Sequence, residues 1–457
     1  MKLPTEAPTA DAPADAPARG GLAQFARGKL LERLRNAHPA AHPGARLQIE
    51  PAAPRAADIP DALCRFESHP AYEKLLVSQA AARRVGVANP FFRVHEARAG
   101  ATTVIDGRTC INFSSYDYLG LNGDARVTAA ARDAIERYGT SPSASRLVAG
   151  ERPVQRELEQ ALAEHYGVDA CIVFVSGHAT NVSTIGCLFG PKDLVVHDAL
   201  IHNSVLEGIR LSGAHRRSFA HNDAQALDDL LARVRGDFER VLVVIEGHYS
   251  MDGDTPDLAA FVDVKRRHKA FLMVDEAHAL GVLGATGQGI AEQCCVPTQD
   301  VDIWMGTLSK TLASCGGYIA GSRALVELLK YNAPGFVYSV GIPPAQAAAA
   351  LEALRIMHDE PERVQALQAN GRLFLELARQ AAIPTGLSQG HSIAAAVTAS
   401  SLKATRLSNQ LLKHGVNVQP IIHPAVEEKA ARLRFFISSA HSAGQIEATV
   451  RQLAQLL

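Results

Sequence analysis

The stretch DIWMGTLSKTLASCGGYIAG, residues 302–321, combines the pattern of a buried strand with an isolated cation. Its first residues form an apolar run, which is typical of a strand covered on both faces of a sheet. Lys310 follows among small, hydroxyl-bearing and glycine residues, and a second apolar run, GGYIAG, closes the segment. A lysine in such a place is usually exposed or structural, but it becomes a nucleophile where burial or neighbouring cations remove its proton.

Apolar runs of the same kind precede this stretch, and helical patterns separate most of them. The runs are ACIVFV (170–175), DLVVHD (193–198), RVLVVIEG (240–247) and AFLMVDE (270–276). The helical patterns include DAQALDDLLARVRG (223–236) and DLAAFVDVKRRH (257–268). This alternation predicts an α/β fold with a mostly parallel sheet that helices cover on both faces. Such sheets bind ligands at the carboxyl ends of their strands.

The composition changes along the chain and predicts its domain organisation. The first residues are rich in Ala, Pro and Asp, which indicates a disordered or linker extension. Within them, LAQFARGKLLERLRNA (22–37) has helical spacing and is either a linker helix or an element that docks a partner. The predicted regions are an extension (1–60), an N-terminal segment (61–110), a large cofactor-binding domain (111–345) and a smaller C-terminal α+β domain (346–457) with strand candidates IAAAVTA and RLRFFISS.

The bulk properties of the 457 residues exclude several classes of function. With 47% hydrophobic residues and a net charge of −1, the chain has a large core and no strong field for binding nucleic acid or anionic membranes. Its seven cysteines are scattered without a CxxC pair, so we expect a cytoplasmic protein without a metal site. No apolar run approaches the ~20 residues of a membrane helix, and the N-terminus lacks the apolar core of a signal peptide.

Polar residues follow two of the predicted strands. After CIVFV come Ser176, Gly177 and His178, at a turn that opens a helical pattern. Backbone N–H groups at such a helix start suit a phosphate, although an ordinary tight turn gives the same pattern. Asp275 follows the apolar run LMV and suits either a protonated ring nitrogen or a structural capping role.

The letters DEAH at 275–278 also occur in helicases, but that interpretation requires an upstream P-loop, G-x-x-x-x-G-K-[ST], which this sequence lacks. A different combination is present. A phosphate cradle, an aspartate for a pyridinium nitrogen and a lysine for an aldehyde are the groups that pyridoxal phosphate requires, and here they occur in that order. The sequence therefore favours a pyridoxal phosphate enzyme.

Nine ordered segments over about 111–441 resemble one family, the α-oxoamine synthases among the fold-type I pyridoxal-phosphate enzymes. They are INFSSYDYLGL, SASRLVAG, FVSGHATN, HDALIHNS, EGHYSMDGD, VDEAHALGVLGATGQG, GTLSKTLASCGGYIAG, VYSVGIPPA and ARLRFFISSAH. The resemblance implies a decarboxylative Claisen condensation, in which an amino acid of the Ser, Ala or Gly type and an acyl thioester give an α-amino ketone and CO2. The acyl group would arrive on coenzyme A or an acyl carrier protein.

The resemblance also implies roles for individual residues around the cofactor ring. Lys310 resembles the Schiff-base lysine, which also moves protons at the α-carbon of the amino acid. Asp275 resembles the partner of the pyridinium nitrogen. His278, together with Ser250, would bind the phenolic oxygen, and His202 resembles the histidine that stacks on the ring, with a satisfied core histidine as the alternative.

Further residues resemble the phosphate and substrate contacts of the family. Gly177 and His178 would offer backbone N–H groups to the phosphate, and Thr307 a hydroxyl. Ser339 resembles a phosphate contact from a neighbouring subunit, which implies a homodimer with a shared active site. Arg434 resembles the arginine that binds the carboxylate of the amino acid, a task that suits a bidentate guanidinium.

Three departures from the family pattern bear on the substrate. Tyr116 stands where members that use glycine or alanine carry Asn, and it resembles serine palmitoyltransferase-like members. His178 replaces an aromatic residue, and Val340 replaces a threonine. The favoured hypothesis is therefore a synthase of sphingoid or polyketide-type metabolism. The alternatives are an 8-amino-7-oxononanoate synthase or 2-amino-3-ketobutyrate ligase, and a cofactor-binding subunit without catalysis.

Overall fold

The computed structural model describes residues 59–457, so the helical pattern at 22–37 lies outside the described residues. The chain divides into two units between Ala80 and Ala81. The described part of the first unit contains two short 3₁₀ turns, Asp61–Cys64 and Phe66–Ser68, and the beginning of helix α1 (Pro70–Arg84). None of these three elements has a buried residue.

The second unit, Ala81–Leu457, contains the remaining helices and all described strands. The helices are α2 (Ala125–Tyr138), α3 (Pro153–Tyr166), α4 (Gly177–Leu188), α5 (Asn203–Ser212), α6 (Ala224–Val234), α7 (Leu258–His268), α8 (Ile290–Gln293), α9 (Arg323–Asn332), α10 (Pro334–Val337), α11 (Pro344–Asp359), α12 (Glu362–Gln380), α13 (Ser401–Lys413) and α14 (Ala443–Leu456). The predicted helices at 223–236 and 257–268 correspond to α6 and α7.

Seven strands form the central sheet, in the spatial order β3-β9-β8-β7-β6-β4-β5. Their bounds are β3 (Ala170–Phe174), β4 (Leu194–Asp198), β5 (His215–Phe219), β6 (Val241–Glu246), β7 (Phe271–Asp275), β8 (Ile303–Thr307) and β9 (Gly317–Gly321). Strand β9 runs antiparallel to both of its neighbours, and the pairs among β5, β4, β6, β7 and β8 are parallel. The mostly parallel sheet predicted from the sequence is confirmed.

Strand β6 shows why the sheet is covered on both faces. All six of its residues are buried. Val241, Val243 and Ile245 pack in one apolar cluster, while Leu242 and Val244 pack in a second cluster on the opposite face. Because successive side chains of a strand point to opposite faces, a continuous apolar run requires helices on both sides.

Strand β5 was not predicted, because its sequence HRRSF has no apolar pattern. The structure explains this composition, since β5 lies at the edge of the sheet and four of its five residues are exposed. Charged side chains are common on edge strands, where they discourage pairing with other chains.

Two smaller sheets complete the second unit. Strands β10 (Ile393–Val397), β12 (Gln419–Ile421) and β13 (Arg432–Phe436) form an antiparallel sheet in the order β10-β13-β12. Strands β1 (Thr102–Ile105), β2 (Arg108–Asn112) and β11 (Val416–Asn417) form the other sheet, in which β2 and β11 pair in parallel. Sequence patterns identified β10 and β13 but not the short strands. The domain boundary near residue 345 stays a prediction.

Two absences within the described residues bear on the earlier expectations. No helix in the range 59–457 has the length and apolar character needed to cross a bilayer. All seven cysteines fall in this range, and each of them is a free thiol.

Candidate active site

A cavity of about 360 Å³ lies at the carboxyl edge of the central sheet. Eleven of the twelve predicted site residues line it: Tyr116, Ser176, Gly177, His178, His202, Ser250, Asp275, His278, Thr307, Lys310 and Arg434. Ser339 is not among the lining residues of this single chain. Further lining residues were not predicted: Asn181, Ser204, Glu246, Met251, Ala277, Met305 and Ser309. For the residues at the ends of β3, β4, β6, β7 and β8 the convergence follows from the fold, because parallel strands end at the same edge of the sheet, whereas Tyr116 and Arg434 reach the cavity from outside this sheet.

One end of the cavity is the start of helix α4. Ser176 caps this helix, and its hydroxyl accepts a hydrogen bond from the Ala179 N–H at 3.1 Å. Gly177 packs so closely against the end of β8 that a Cβ at this position would lie 3.0 Å from the Thr307 Oγ1. The hydroxyls of Thr307 and Ser309 lie 3.1 Å apart beside it. Free N–H groups, the helix dipole and two hydroxyls together suit a phosphate.

Asp275 ends strand β7 and is held in place by two donors. Its Oδ1 accepts from the Ala277 N–H at 3.0 Å, and its Oδ2 accepts from the Asn181 Nδ2 at 3.0 Å. Asn181 lies one turn into α4 and also donates to the Ser204 hydroxyl at 2.9 Å. An oriented, buried carboxylate at this depth suits a protonated ring nitrogen. The role of Asn181 was not predicted, because its partner lies 94 residues away in the sequence.

Lys310 projects into the same cavity just beyond the end of β8. Burial lowers the pKa of its amine to about 8, although Asp275 and Glu246 act in the opposite direction. Its Nζ lies 5.6 Å from the centre of the Tyr116 ring. A larger fraction of the amine is therefore neutral, and so nucleophilic, than for an exposed lysine.

Glu246 ends strand β6 and is paired in register with Asp275 on the adjacent strand, so both carboxyls lie on the same face. Its Oε2 accepts from the Ser250 N–H at 3.1 Å, whereas its Oε1 is buried without a partner among the described residues. Burial, and after it the charge of Asp275, raises the pKa of Glu246 to about 8. Glu246 is therefore largely protonated at neutral pH. A strand-end glutamate in EGHYS was visible in the sequence, but nothing local indicated its burial.

Glu246→Gln should stabilise the cofactor-free protein at pH 8 and have little effect at pH 5. Between the usual carboxyl pKa of 4.5 and the raised value near 8, the folded state holds a proton that the unfolded state releases. Stability therefore falls as the pH rises through this window, by roughly 1–3 kcal/mol for one buried group. Glutamine keeps the acceptor for Ser250 and does not titrate. Thermal unfolding at both pH values measures the difference.

The exposed Glu239, which pairs with Lys192, offers a matched control for this experiment. Glu239→Gln should change the melting temperature only slightly and equally at the two pH values, because exposed ion pairs contribute little to stability. A Glu246→Gln effect of the same size at pH 5 and pH 8 would contradict the raised pKa.

His278 is oriented by Tyr118, a residue that the sequence analysis did not assign to the site. The Tyr118 hydroxyl lies 2.7 Å from the His278 Nδ1. Burial raises the pKa of Tyr118, and burial followed by the charge of Lys310 lowers the pKa of His278 well below its usual value. The phenol therefore keeps its proton and the imidazole is neutral; where the phenol donates its hydrogen bond to Nδ1, Nε2 carries the ring proton. This tautomer can donate a hydrogen bond to an oxygen in the cavity.

His202 and Arg434 line other parts of the cavity. His202 caps helix α5, and its Nδ1 lies 2.7 Å from the Ser204 hydroxyl. Burial lowers the pKa of His202, which suits a neutral ring for stacking. Arg434 lies in the middle of β13, where its Nη1 donates to the Ser250 carbonyl at 2.9 Å. Its Nε is buried without a partner among the described residues, so the guanidinium retains donors for a carboxylate.

The residues that depart from the family pattern also have defined positions. Tyr116 is 39% exposed and packs edge-on against Phe436, with ring centroids 4.7 Å apart, so it borders the cavity at its solvent side. The His178 side chain is exposed near the phosphate cradle. Val340 is exposed beside Ser339 and away from this cavity.

The arrangement fits the phosphate, the ring nitrogen and the aldehyde of pyridoxal phosphate. The start of α4 packs tightly on the central sheet, since a Cβ on Gly317 of β9 would come within 2.4 Å of the Thr180 Oγ1, and this packing fixes the backbone N–H groups that would face the phosphate. Asp275 offers a buried carboxylate to the ring nitrogen, and Lys310 offers an amine with a lowered pKa. Arg434 keeps free donors on the substrate side.

Comparisons with known proteins identify the family of this chain. Residues 108–453 match the family model described as aminotransferase class I and II. The 8-amino-7-oxononanoate synthase of Methylorubrum populi is 42% identical over 351 residues, which cover 77% of this chain and 86% of the relative. The enzyme of the same name from Methylobacterium nodulans is 41% identical over 358 residues, covering 78% and 89%.

Solved structures show a second group of similar proteins. The serine palmitoyltransferase of Sphingomonas wittichii superimposes with a TM-score of 0.82 at 29% identity, over 86% of this chain and 98% of that chain. Another serine palmitoyltransferase structure, which contains pyridoxal phosphate, gives a TM-score of 0.81 at 28% identity, again over 86% and 98%.

Proposed function

Since this chain belongs to the aminotransferase class I and II family, and within it to the α-oxoamine synthases, we propose that it joins an amino acid to the acyl group of a thioester. The amino acid loses its carboxylate as CO2, the thiol is released, and an α-amino ketone is formed. The observation that carries this proposal is the single cavity in which Asp275, Lys310 and Arg434 converge. Their presence also argues against a subunit without catalysis.

The cofactor is pyridoxal 5′-phosphate, which when bound withdraws electrons from the α-carbon of the amino acid and so permits a carbanion there. Asp275 would keep the ring nitrogen protonated, and His278 would donate a hydrogen bond from Nε2 to the phenolic oxygen. His202 would stack on the ring. The phosphate would be held at the start of α4 by Ser176, Gly177, His178 and Thr307.

The side chains on the substrate side have separate tasks. Arg434 binds the carboxylate of the amino acid and orients it, while Ser250 anchors the guanidinium through its carbonyl and contributes its hydroxyl near the phenolic oxygen. Lys310 removes and returns the proton at the α-carbon, a task that requires an amine that can lose its proton near neutral pH. Tyr116 borders the route by which the acyl group enters.

Two substrate pairs are candidates, each supported by a different observation. Tyr116 and the structural likeness to serine palmitoyltransferases favour a fatty or polyketide acyl thioester, with serine as the amino acid. The 41–42% identity to 8-amino-7-oxononanoate synthases favours a product in which a ketone and an adjacent amine lie on a carboxylic acid chain. The second candidate requires an acyl donor with a carboxylate at its far end.

Two measurements test these proposals on the cofactor-loaded protein. Serine, alanine and glycine are added separately, and the visible spectrum reports which of them binds at the cofactor. Thiol and CO2 release are then followed with a plain fatty acyl thioester and with one that carries a terminal carboxylate, each offered on coenzyme A and on an acyl carrier protein. A protein that binds pyridoxal phosphate but shows no spectral response to any amino acid would contradict the proposed reaction.

Arg434→Ala should raise the KM for the amino acid by roughly a hundredfold, because a buried, bidentate partner of the carboxylate is lost. The cofactor spectrum should stay unchanged, since Arg434 holds the substrate rather than the ring. Steady-state kinetics at several amino acid concentrations measure the effect. Arg434→Lys, which keeps the charge but not the paired donors, is the matched control and should recover only part of the affinity. An unchanged KM for Arg434→Ala would remove this residue from the proposed role.

We also propose that two copies of the chain complete the site between them. Ser339 is half-buried outside the cavity, and within residues 59–457 its hydroxyl donates a hydrogen bond to the adjacent Val340 carbonyl, at 3.2 Å. Tyr338 and Tyr331 nearby are 83% and 70% exposed, which is unusual for large aromatic side chains. Sedimentation should therefore report twice the mass of one chain. Activity regained on mixing Lys310→Ala chains with Ser339→Ala chains would indicate that each subunit supplies Ser339 to its partner.

A further inference from the structure

His221 lies outside the cavity, between the segment that leads to His202 and the loop whose Ser250 carbonyl anchors Arg434, and we propose that it is a positioning residue for His202 and Arg434. This inference deepens the proposed function and rests on the roles assigned there. The segment that contains His221 follows strand β5, whose polar sequence gave no indication of a role in the site.

Both ring nitrogens of His221 contact carboxylates. Its Nδ1 lies 2.9 Å from the Asp198 Oδ1, and its Nε2 lies 2.8 Å from the Asp254 Oδ2. Because an ionised carboxylate only accepts hydrogen bonds, both nitrogens must donate, and the ring is an imidazolium. Burial lowers the pKa of His221, but the hydrogen bonds to Asp198 and Asp254 outweigh burial and raise it to about 10. One positive charge thus holds two buried negative charges together.

The first carboxylate leads to His202. Asp198 ends strand β4, and its Oδ1 also accepts from the Leu200 N–H at 2.8 Å. The Asp198 carbonyl accepts from the Ile201 N–H at 3.2 Å, and His202 follows as the cap of α5. These bonds determine the path of the segment that presents the His202 ring to the cavity.

The second carboxylate leads to Arg434. The Asp254 carbonyl accepts from the Tyr249 N–H at 2.9 Å, and the Gly253 N–H donates back to the Tyr249 carbonyl at 2.9 Å, which closes a tight loop. Within this loop, the Ser250 carbonyl accepts from the Arg434 Nη1. The Tyr249 ring packs edge-on against His221, with centroids 4.5 Å apart. Movement of the loop would therefore move the anchor of the guanidinium.

Removing the charge of His221 leaves two buried carboxylates facing each other without a cation. Unpaired buried charges are strongly unfavourable, so the two carboxylates either take up a proton or move apart, and in both cases the spacing that the imidazolium fixes between the two loops is lost. The expected consequence is altered ring stacking at His202 and a displaced Arg434. A role in stability alone would leave both unchanged in the folded protein.

The test compares His221→Gln with His268→Gln in the cofactor-loaded protein. His268 is a matched control, because its Nε2 also contacts an aspartate, Asp228, at 2.7 Å, but this aspartate lies on helix α6, which carries no residue that lines the cavity. Visible circular dichroism reports the surroundings of the cofactor ring, kinetics report the KM for the amino acid, and thermal unfolding reports stability. A third variant combines His221→Gln with Asp254→Asn and so removes one of the two opposed charges.

We expect His221→Gln to change the visible circular dichroism and to raise the KM roughly tenfold, whereas His268→Gln changes neither. The double variant should recover part of the wild-type dichroism and part of the wild-type affinity for the amino acid. A His221→Gln protein that is less stable but has wild-type dichroism and KM would overturn the proposal, and so would a double variant with no recovery. If His221→Gln does not fold, Asp254→Ala alone removes the contact to the His221 Nε2, and wild-type dichroism and KM for it would also overturn the proposal.

Failure of the proposed function is distinguishable from failure of this inference. A wild-type protein without a spectral response to any amino acid contradicts the proposed function. In that case the role of His221 is still tested by the visible circular dichroism of the cofactor in the variants. A wild-type response together with identical behaviour of the two glutamine variants contradicts only the role of His221.

Discussion

Replacing Lys310 with alanine should lower turnover by more than about a thousandfold, the upper range for loss of a positioned acid or base. The physical reason is that Lys310 is the only lysine among the described residues that line the cavity, and burial has lowered the pKa of its amine to about 8. Thiol and CO2 release measure the loss. The variant should fold as well as the wild type, because removing a buried amine also removes its desolvation cost.

Lys192→Ala is the matched control for this variant, since Lys192 is exposed and pairs with Glu239 at the surface. It should retain full turnover. The two proteins should also differ in how firmly they hold the cofactor, with loss through dialysis only for Lys310→Ala. Turnover within tenfold of the wild type in Lys310→Ala would contradict the assigned role.

The lowered pKa of Lys310 also predicts how cofactor uptake depends on pH. Because the neutral amine is the reactive form, the rate at which cofactor-free protein takes up pyridoxal phosphate should rise with pH and level off above about 8. For an exposed lysine, the uptake rate would continue to rise until the pH reached the usual lysine pKa of 10.5. Stopped-flow absorbance at several pH values distinguishes the two profiles.

Asp275→Asn should lower turnover by about a hundredfold to a thousandfold, the second-largest effect that we expect. The amide has nearly the same shape as the carboxylate and can still contact Ala277, but it lacks the charge that keeps a ring nitrogen protonated. The cofactor should bind more weakly, and its spectrum should respond to the amino acid without efficient CO2 release. Titration with cofactor and single-turnover measurements separate these two effects.

Asp302 offers the same substitution at the opposite end of the sheet. It precedes strand β8, pairs with Lys265 at 2.8 Å and accepts from the Leu272 N–H. Asp302→Asn should cost some stability and leave turnover intact. If Asp275→Asn kept wild-type turnover while Asp302→Asn lost it, another residue would have to supply the negative charge that keeps the ring nitrogen protonated.

Much of the site was predictable because local sequence determines which residues follow a strand. The apolar runs ending at Asp275 and near Lys310 are buried strands, and parallel strands bring their carboxyl ends to one edge. Eleven of the twelve predicted residues accordingly line one cavity. Ser339 is the exception, and its role depends on a second copy of the chain.

Other features depend on contacts that no local pattern encodes. Tyr118 and His278 are 160 residues apart in sequence, and Asp198 meets His221 across 23 residues. Strand β5 was not predicted because an edge strand needs no apolar alternation. The pairing of β2 with β11 likewise joins distant segments whose short sequences have no distinctive pattern.

The sequence alone determined the chemical groups of this protein and their order along the chain, since a short apolar run followed by Lys310, Asp275 or Gly177 is a local property. Only the tertiary structure decided the protonation state of those groups. The pKa values of Lys310 and Glu246 are both near 8 because remote residues exclude water and supply neighbouring charges. Desolvation and Coulomb interactions depend on distance in space, and the distances that matter here arise only when the strands assemble.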